Sequence, residues 1–301
     1  MTITLIENFR AVFYTPFYAC AALEAYEAEG LDVRMRMSEA AEKTLTAGEV
    51  SWGGPLRVMK ALDGNPAGGY VAFCEVVGRD PFYLIGRTPN SNFAFRDLPG
   101  KRLAVVSEVP TPWICLQYDL RRAGIDPATV RCTAARSMAE NAASLRSGEL
   151  DVIQVFEPYA RELIESGVGH VWYAAAQRGL TTYTTFNTTR AFIERNPEVA
   201  LAMTRAMYRT QKWIAAHDGR ALADAVSSYL PDVPRARLAA CCEAYKALGL
   251  WNTRPVMQRE GQEWLRDAMH AAGYIKSKPS FEQCVDMRFA ERAVREDPPS
   301  I

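Results

Sequence analysis

The sequence predicts a mixed α/β protein built from two βαβ lobes and a helical C-terminal return, and three observations carry that prediction. First, residues 147–159 read as the end of a helix stopped by Gly148, a short strand rich in Val and Ile, and an abrupt turn, Phe156-Glu157-Pro158-Tyr159. A strand that short and apolar fits burial on both faces of a parallel sheet, which puts the turn at a carboxyl end, where open α/β sheets bind ligands. Second, the phrase recurs a hundred positions earlier, in Thr44-Leu45-Thr46-Ala47-Gly48-Glu49-Val50-Ser51-Trp52-Gly53-Gly54-Pro55. Leu45, Gly48 and Glu49 match Leu145, Gly148 and Glu149, so two similar lobes each offer a strand end to a shared cleft. Third, strands and helices alternate up to about residue 188, beyond which the pattern is nearly all helical.

The elements follow in order. Residues 1–6 read as a first strand, and an aromatic-dense loop over 7–18 runs from it into a helix. The Ala- and Glu-rich stretch 19–29 is helical and stops at Gly30, placed as a C-cap. Residues 32–37 alternate Val and Met with Arg, a strand with one solvated side. A helix over 39–46 leads to the first Gly-Glu phrase, and Pro55 belongs in the first turn of the helix that follows. Residues 70–77 and 81–85 are apolar strands joined by Gly78-Arg79-Asp80, and the polar segment 88–95 reads as a crossing. A fresh unit begins with the turn at 97–102. It continues as a strand over 103–106, a loop over 107–112 and helices over 113–123 and 137–146. A strand over 171–176 and a Thr-rich ribbon over 179–186 end the alternating part. Helices over 197–216, 220–229, 235–248 and 255–272 make the return.

Composition narrows the function. The 301 residues balance 35 Lys and Arg against 35 Asp and Glu, which removes the electrostatic argument for nucleic acid or an anionic membrane surface. No apolar run approaches the length of a bilayer-spanning helix. Residues 1–6 lack the basic and apolar regions of an export signal, so the chain reads either as already trimmed of one or as cytoplasmic. Seven scattered cysteines show no metal-ligand spacing; buried thiols in a reducing compartment are expected, and no metal site. Cys241 and Cys242 are adjacent in a helix and point to different sides of it. His170, His217 and His270 lie away from the predicted strand ends, and no nucleophile elbow, H-E-x-x-H, P-loop or dinucleotide fingerprint occurs. No catalytic residue and no cofactor are therefore expected.

Ligand-site signals are stronger. Gly53-Gly54-Pro55 and residues 107–111 each lead into a helix start, whose backbone N–H groups form a donor cluster. Aromatic residues crowd the predicted turns: Phe9, Phe13, Tyr14, Trp52, Trp113, Phe156, Tyr159 and Tyr183. Each could be core, but their placement at turns rather than at periodic helix positions favours a flat ligand. Glu157, between two aromatics, either caps a helix or accepts from an amino group. With Glu108 nearby, no lysine at a strand end and Arg10 the only loop arginine near Asn8-Phe9, the expected ligand is a planar, neutral or amino-bearing heteroaromatic and not a small anion.

Asn8-Phe9, Pro16-Phe17-Tyr18, Gly30-Leu31-Asp32-Val33, Gly48-Glu49, Trp52-Gly53-Gly54-Pro55, Leu98-Pro99-Gly100-Lys101-Arg102 and Phe156-Glu157-Pro158-Tyr159 occur in an order that resembles a known superfamily. It is that of the solute-binding proteins of nitrate/sulfonate/taurine-type ABC transporters, which includes thiamine-pyrimidine binding proteins and the thiamine-pyrimidine synthase. The resemblance runs from about residue 3 to 215. It implies a type 2 periplasmic-binding-protein fold, with lobe 1 over 1–86 and 187–301, lobe 2 over 87–186, crossings near Arg87 and Thr185, and closure by hinge motion. It also implies uptake through an ABC permease and a periplasmic location. The residues expected to contact ligand are Asn8, Phe9, Phe13, Trp52, Gly53, Gly54, Pro55, Ser107, Glu108, Thr111, Trp113, Phe156, Glu157, Tyr159 and Tyr183. The function expected is capture of an aminopyrimidine-like solute. The alternative is a cytoplasmic enzyme of thiamine-pyrimidine or related heteroaromatic metabolism, although neither the cysteine-rich iron motif nor the sacrificial histidine of the synthase branch is matched here.

Overall fold

The computed structural model describes residues 2–38 and 49–301, so the helix expected over 39–46 and the first phrase up to Gly48 lie outside the described residues. Strands β1 (Thr2–Glu7), β2 (Asp32–Met37), β3 (Glu49–Gly53) and β4 (Tyr70–Val77) belong to a first sheet. Strands β5 (Tyr83–Gly86), β6 (Arg102–Ala104), β7 (Arg131–Cys132), β8 (Val152–Val155) and β9 (His170–Ala174) form a second, and β10 (Thr184–Thr189) returns to the first. The orders are β2-β1-β3-β10-β4 and β7-β6-β8-β5-β9. In the first sheet β1 runs parallel to β2 and β3, while β10 is antiparallel to β3 and β4. In the second, β6 runs parallel to β7 and β8, while β5 is antiparallel to β8 and β9. Both sheets thus follow one plan, in keeping with the repeated phrase.

Two expectations change. β8 is buried, but it has a parallel partner on one side only, because β5 fills the other. The strand expected over 81–85 on the first lobe is β5, a member of the second sheet, and the strand at the end of the 179–186 ribbon is β10, a member of the first. By sheet membership the chain passes between sheets at 78–82 and at 179–183. Each crossing strand pairs with strands far away in sequence, a choice that local pattern does not encode.

The helices obey local chemistry closely. Ser137 and Glu140 form a reciprocal capping box on helix Met138–Ser147, and Gly148 ends that helix at φ +80°. The helix expected over 19–29 is two, Thr15–Ala22 and Ala25–Ala28, separated where Glu24 takes a left-handed φ of +55°. Pro55 precedes helix Leu56–Gly64 as its N-cap rather than lying in its first turn, and Pro110 precedes Thr111–Arg122 in the same way. The return contains Pro197–Ala216, Gly219–Val226, Arg235–Ala247 and Arg259–Ala271. Cys241 and Cys242 do face apart, toward Glu157 and Thr15. No helix of the described residues is long and apolar enough to cross a membrane.

The crossings are bound to each other. Thr181 N–H donates to Gly78 O at 2.9 Å, Tyr183 N–H to Val77 O at 2.8 Å, and Ala175 N–H to Phe82 O at 2.8 Å. Arg178, only 4% exposed, bridges Asp80 at 2.9 Å and Asp119 at 2.6 Å, and its guanidinium lies 4.7 Å from the Trp264 ring centroid. Behind β10, the fully buried Glu75 of β4 accepts from Asn252 Nδ2 at 2.6 Å. Burial pushes its carboxyl up to about 7, against hydrogen bonds from Asn252 and Gln258.

These groups give two expectations. Removing one partner of a buried ion cluster costs roughly 3–5 kcal/mol, so Arg178→Met lowers the unfolding free energy by about that much in urea titration. The Glu75 carboxyl holds its proton in the folded chain up to about 7 and releases it near 4.5 when unfolded, so the folded state binds the extra proton between those values. Stability is therefore greatest below pH 4.5 with respect to this group and is lost as pH rises to about 7, by on the order of 3 kcal/mol. Glu75→Gln removes that slope from the pH dependence of the urea midpoint.

Candidate functional site

β1 and β3 end side by side, and the residues after them start the site. Asn8 Nδ2 donates to Trp52 O at 3.2 Å, and Asn8 Oδ1 accepts from Arg57 Nη1 at 2.6 Å and from Ser38 Oγ at 3.4 Å. A Cβ on Gly53 would lie 3.0 Å from Asn8 Nδ2, so a side chain there would press on the Asn8 amide that links the two strand ends. From the second sheet, the loop after β6 brings Glu108, Val109, Pro110 and Thr111 across. Tyr183, on the second crossing, closes the back.

Together these walls enclose a cavity of about 220 Å³ lined by Asn8, Phe9, Phe13, Tyr14, Gly54, Leu56, Arg57, Glu108, Val109, Pro110, Thr111, Tyr183 and Tyr274. Phe13 is its aromatic floor, 4.2 Å from Tyr14 and 6.0 Å edge-on to Tyr183, centroid to centroid. The Tyr183 hydroxyl is buried without a hydrogen-bond partner among the described residues, and burial pushes it well above the usual tyrosine range. Desolvation draws the Arg57 guanidinium down from its ordinary value. Helices Leu56–Gly64 and Thr111–Arg122 both begin here, and neither has a side-chain cap.

Electrostatics favour a negative guest. Two helix starts carry about half a positive charge each, and Arg57 adds a full one. Among the described residues Glu108 is the one carboxylate on this wall, and it is engaged: Oε1 accepts from Met138 N–H at 2.9 Å and Oε2 from Ser107 Oγ at 3.3 Å.

Of the expected contact residues, Asn8, Phe9, Phe13, Gly54, Glu108, Thr111 and Tyr183 meet in this cavity. Phe156 and Tyr159 line an adjoining hollow that shares Phe9 and Glu108. The others lie elsewhere. Trp52 is fully buried, its ring stacked on Phe17 at 4.8 Å. Gly53 and Pro55 stand behind the wall, Ser107 is exposed beside it, and Trp113 packs on the core cluster around Leu84, Leu98 and Leu103. Glu157 turns away: its Oε2 accepts from Arg161 N–H at 2.8 Å and from Cys241 Sγ at 3.6 Å, and burial raises its carboxyl above the usual range. The expectation that Glu157 meets the ligand and that no cation offsets it therefore loses both premises. Sequence reasoning missed Arg57, although a first-turn helix side chain leans back toward the helix start, here the cleft. Tyr274 gave no signal.

A family model described as NMT1-like matches residues 85–227. A Bacillus subtilis (strain 168) protein carrying the provisional name of binding protein YtlA is 24% identical over 98% of this chain and 90% of its own length. Among solved structures, the periplasmic aliphatic sulphonate binding protein SsuA of Escherichia coli superposes with a TM-score of 0.75 at 12% identity, over 94% of this chain and 96% of that one. The fold is that of a solute-binding protein. A variant of DszB, solved with biphenyl-2-sulfinic acid, shares this solute-binding fold at a TM-score of 0.70 and 14% identity, over 98% and 99% of the two chains. DszB is a desulfurization enzyme. The fold that the resemblance implies is therefore the one observed. Glu157 is a packing residue here, and in titration calorimetry Glu157→Gln should leave the affinity for a solute of the cavity unchanged.

Proposed function

We propose that this chain captures a small planar ring compound, aromatic or heteroaromatic, bearing one anionic substituent. It holds that solute between two lobes that close about the crossings, and delivers it to an ABC permease on the outer side of the cytoplasmic membrane. The observation that carries the reading is the meeting, around an aromatic-floored cavity, of Arg57 with a Tyr183 hydroxyl and two helix starts that have no side-chain partner among the described residues. A cavity of about 150 Å³ takes benzene, so about 220 Å³ has room for one ring and its substituent. The sulphonate bound by SsuA and the sulfinate held by DszB support the anionic group, and the latter supports the ring.

The ring is the part of the sequence-based expectation that is kept; the amino group gives way to an anion. An aminopyrimidine remains the competing ligand, favoured by Glu108 on the cavity wall. An enzyme of ring metabolism is the second reading, favoured by the likeness to DszB.

Titration calorimetry with benzoate, benzenesulfonate and 4-amino-2-methylpyrimidine separates them. A hydrogen bond to a charged group contributes roughly 1.5–3 kcal/mol, so Arg57→Gln should weaken the acids by roughly tenfold to a hundredfold. Tighter binding of the aminopyrimidine than of either acid would overturn the charge assignment. Catalytic consumption of a bound acid would move the protein to the enzyme class.

A further inference from the structure

The hollow beside the inner cavity has a volume of about 390 Å³ and shares two walls with it, Phe9 and Glu108. Phe156, Tyr159, Tyr229 and Val233 supply much of its apolar lining. Phe9 forms the partition. Its ring lies 6.1 Å from that of Phe156 and within 8° of parallel, and 6.2 Å from Phe13 at 67°. Phe13 and Phe156 are buried, at 1% and 3% exposure, whereas Phe9 is half-buried.

We propose that the two hollows are one bipartite site, the inner for the anionic ring and the outer for a second apolar group. The preferred solute is then an elongated acid, a second ring or apolar tail joined to the first, rather than a single-ring acid. This rests on reading the inner cavity as a ring-acid site. Volume is the first argument. A single substituted ring fills about 220 Å³, and a second ring needs space that only a hollow sharing the inner walls can supply.

Charge fixes which end goes where. The outer hollow has three carboxylates on its lining, Glu108, Glu162 and Asp232, against one cation, Arg10. Arg10 is committed, its Nε 3.4 Å from Glu7 and its Nη1 donating to Tyr229 O at 2.9 Å. Glu162 is held by Arg237 at 2.9 Å. An anionic group is therefore disfavoured outside and favoured inside, where Arg57 and the helix starts lie. The aromatic faces outside suit an uncharged ring.

A wider groove of about 750 Å³, between helices Pro197–Ala216 and Arg288–Glu296, offers no such site. Its arginines are already spent on neighbours: Arg205 on Glu29 and Glu296, Arg288 on Asp286, and Arg292 on Glu296.

The test compares benzoate with biphenyl-4-carboxylate by titration calorimetry on the wild type, on Val233→Trp, which fills the outer hollow, and on Tyr159→Ala, which strips one of its walls. Circular dichroism melts check that each variant folds, and either variant suffices. The wild type should prefer the two-ring acid by tenfold or more, and the preference should collapse toward parity in the variants. Equal affinities in the wild type, or a preference untouched by the variants, would overturn the bipartite site. If benzoate binds and loses that binding in Arg57→Gln while no two-ring preference exists, the inner reading survives and this one fails. If neither acid binds, both fail.

Discussion

The arrangement depends on one buried cluster, Arg178 between Asp80 and Asp119. Asp80 lies on the first crossing and Arg178 beside the second, so the ion pairs tie together the two places where the chain passes between sheets. Both carboxylates and the guanidinium are less than a tenth exposed, and burial raises the Asp80 carboxyl even with Arg178 beside it. A dry cluster of this kind is weak evidence for net stability, because desolvation offsets much of the Coulomb attraction. Its value lies in geometry. Backbone hydrogen bonds from Thr181 and Tyr183 to Gly78 and Val77 make the crossings a narrow two-stranded ribbon, and Arg178 fixes that ribbon against helix Thr111–Arg122. The same helix begins in the cavity and Tyr183 closes it, so the anchored ribbon sets the back wall of the site.

How far the sequence could be read follows from which interactions are local. Gly148 as a helix stop, the helix that begins at about Ser137 and the strand 70–77 all appear where the sequence places them, because each depends on residues a few positions away. The sheet memberships of β5 and β10 were not legible. β5 is a short apolar run and β10 a Thr-rich one, and the partners of both lie far along the chain, as in the pairing of Thr185 with Gly53. A period-two pattern gives a strand its faces but not its sheet.

The same distinction separates the site residues. Phe156 and Glu157 are consecutive where β8 runs into a turn, and their side chains leave on different sides, Phe156 to the outer hollow and Glu157 to Arg161 and Cys241. Once Phe156 faces the cleft, Glu157 must face the core, where Tyr245 Oη accepts from its backbone N–H at 2.9 Å. Trp52 is decided likewise: its carbonyl meets Asn8, while its indole goes to Phe17 on the buried side. An aromatic residue at a strand end marks the region of the site, and parity decides whether its own side chain takes part. Arg57 needed a different rule, the backward lean of helical side chains, and Tyr274 needed the tertiary fold itself.

A chain with zero net charge can still hold a directional field. Along this cleft Arg57 and the two helix starts lie inside, Glu162 and Asp232 line the adjoining hollow, and Glu108 is shared by both. At an effective dielectric near 20, two unit charges about 4 Å apart interact by on the order of 4 kcal/mol. Reversing the proposed anionic solute end for end would thus exchange a favourable contact with Arg57 for an unfavourable one near Glu162 or Asp232. Each aromatic pair adds roughly 0.5–1.5 kcal/mol, nearly the same for either orientation of a ring. For the proposed solute, stacking would therefore supply the hold, and the separation of charge would decide which way round it lies.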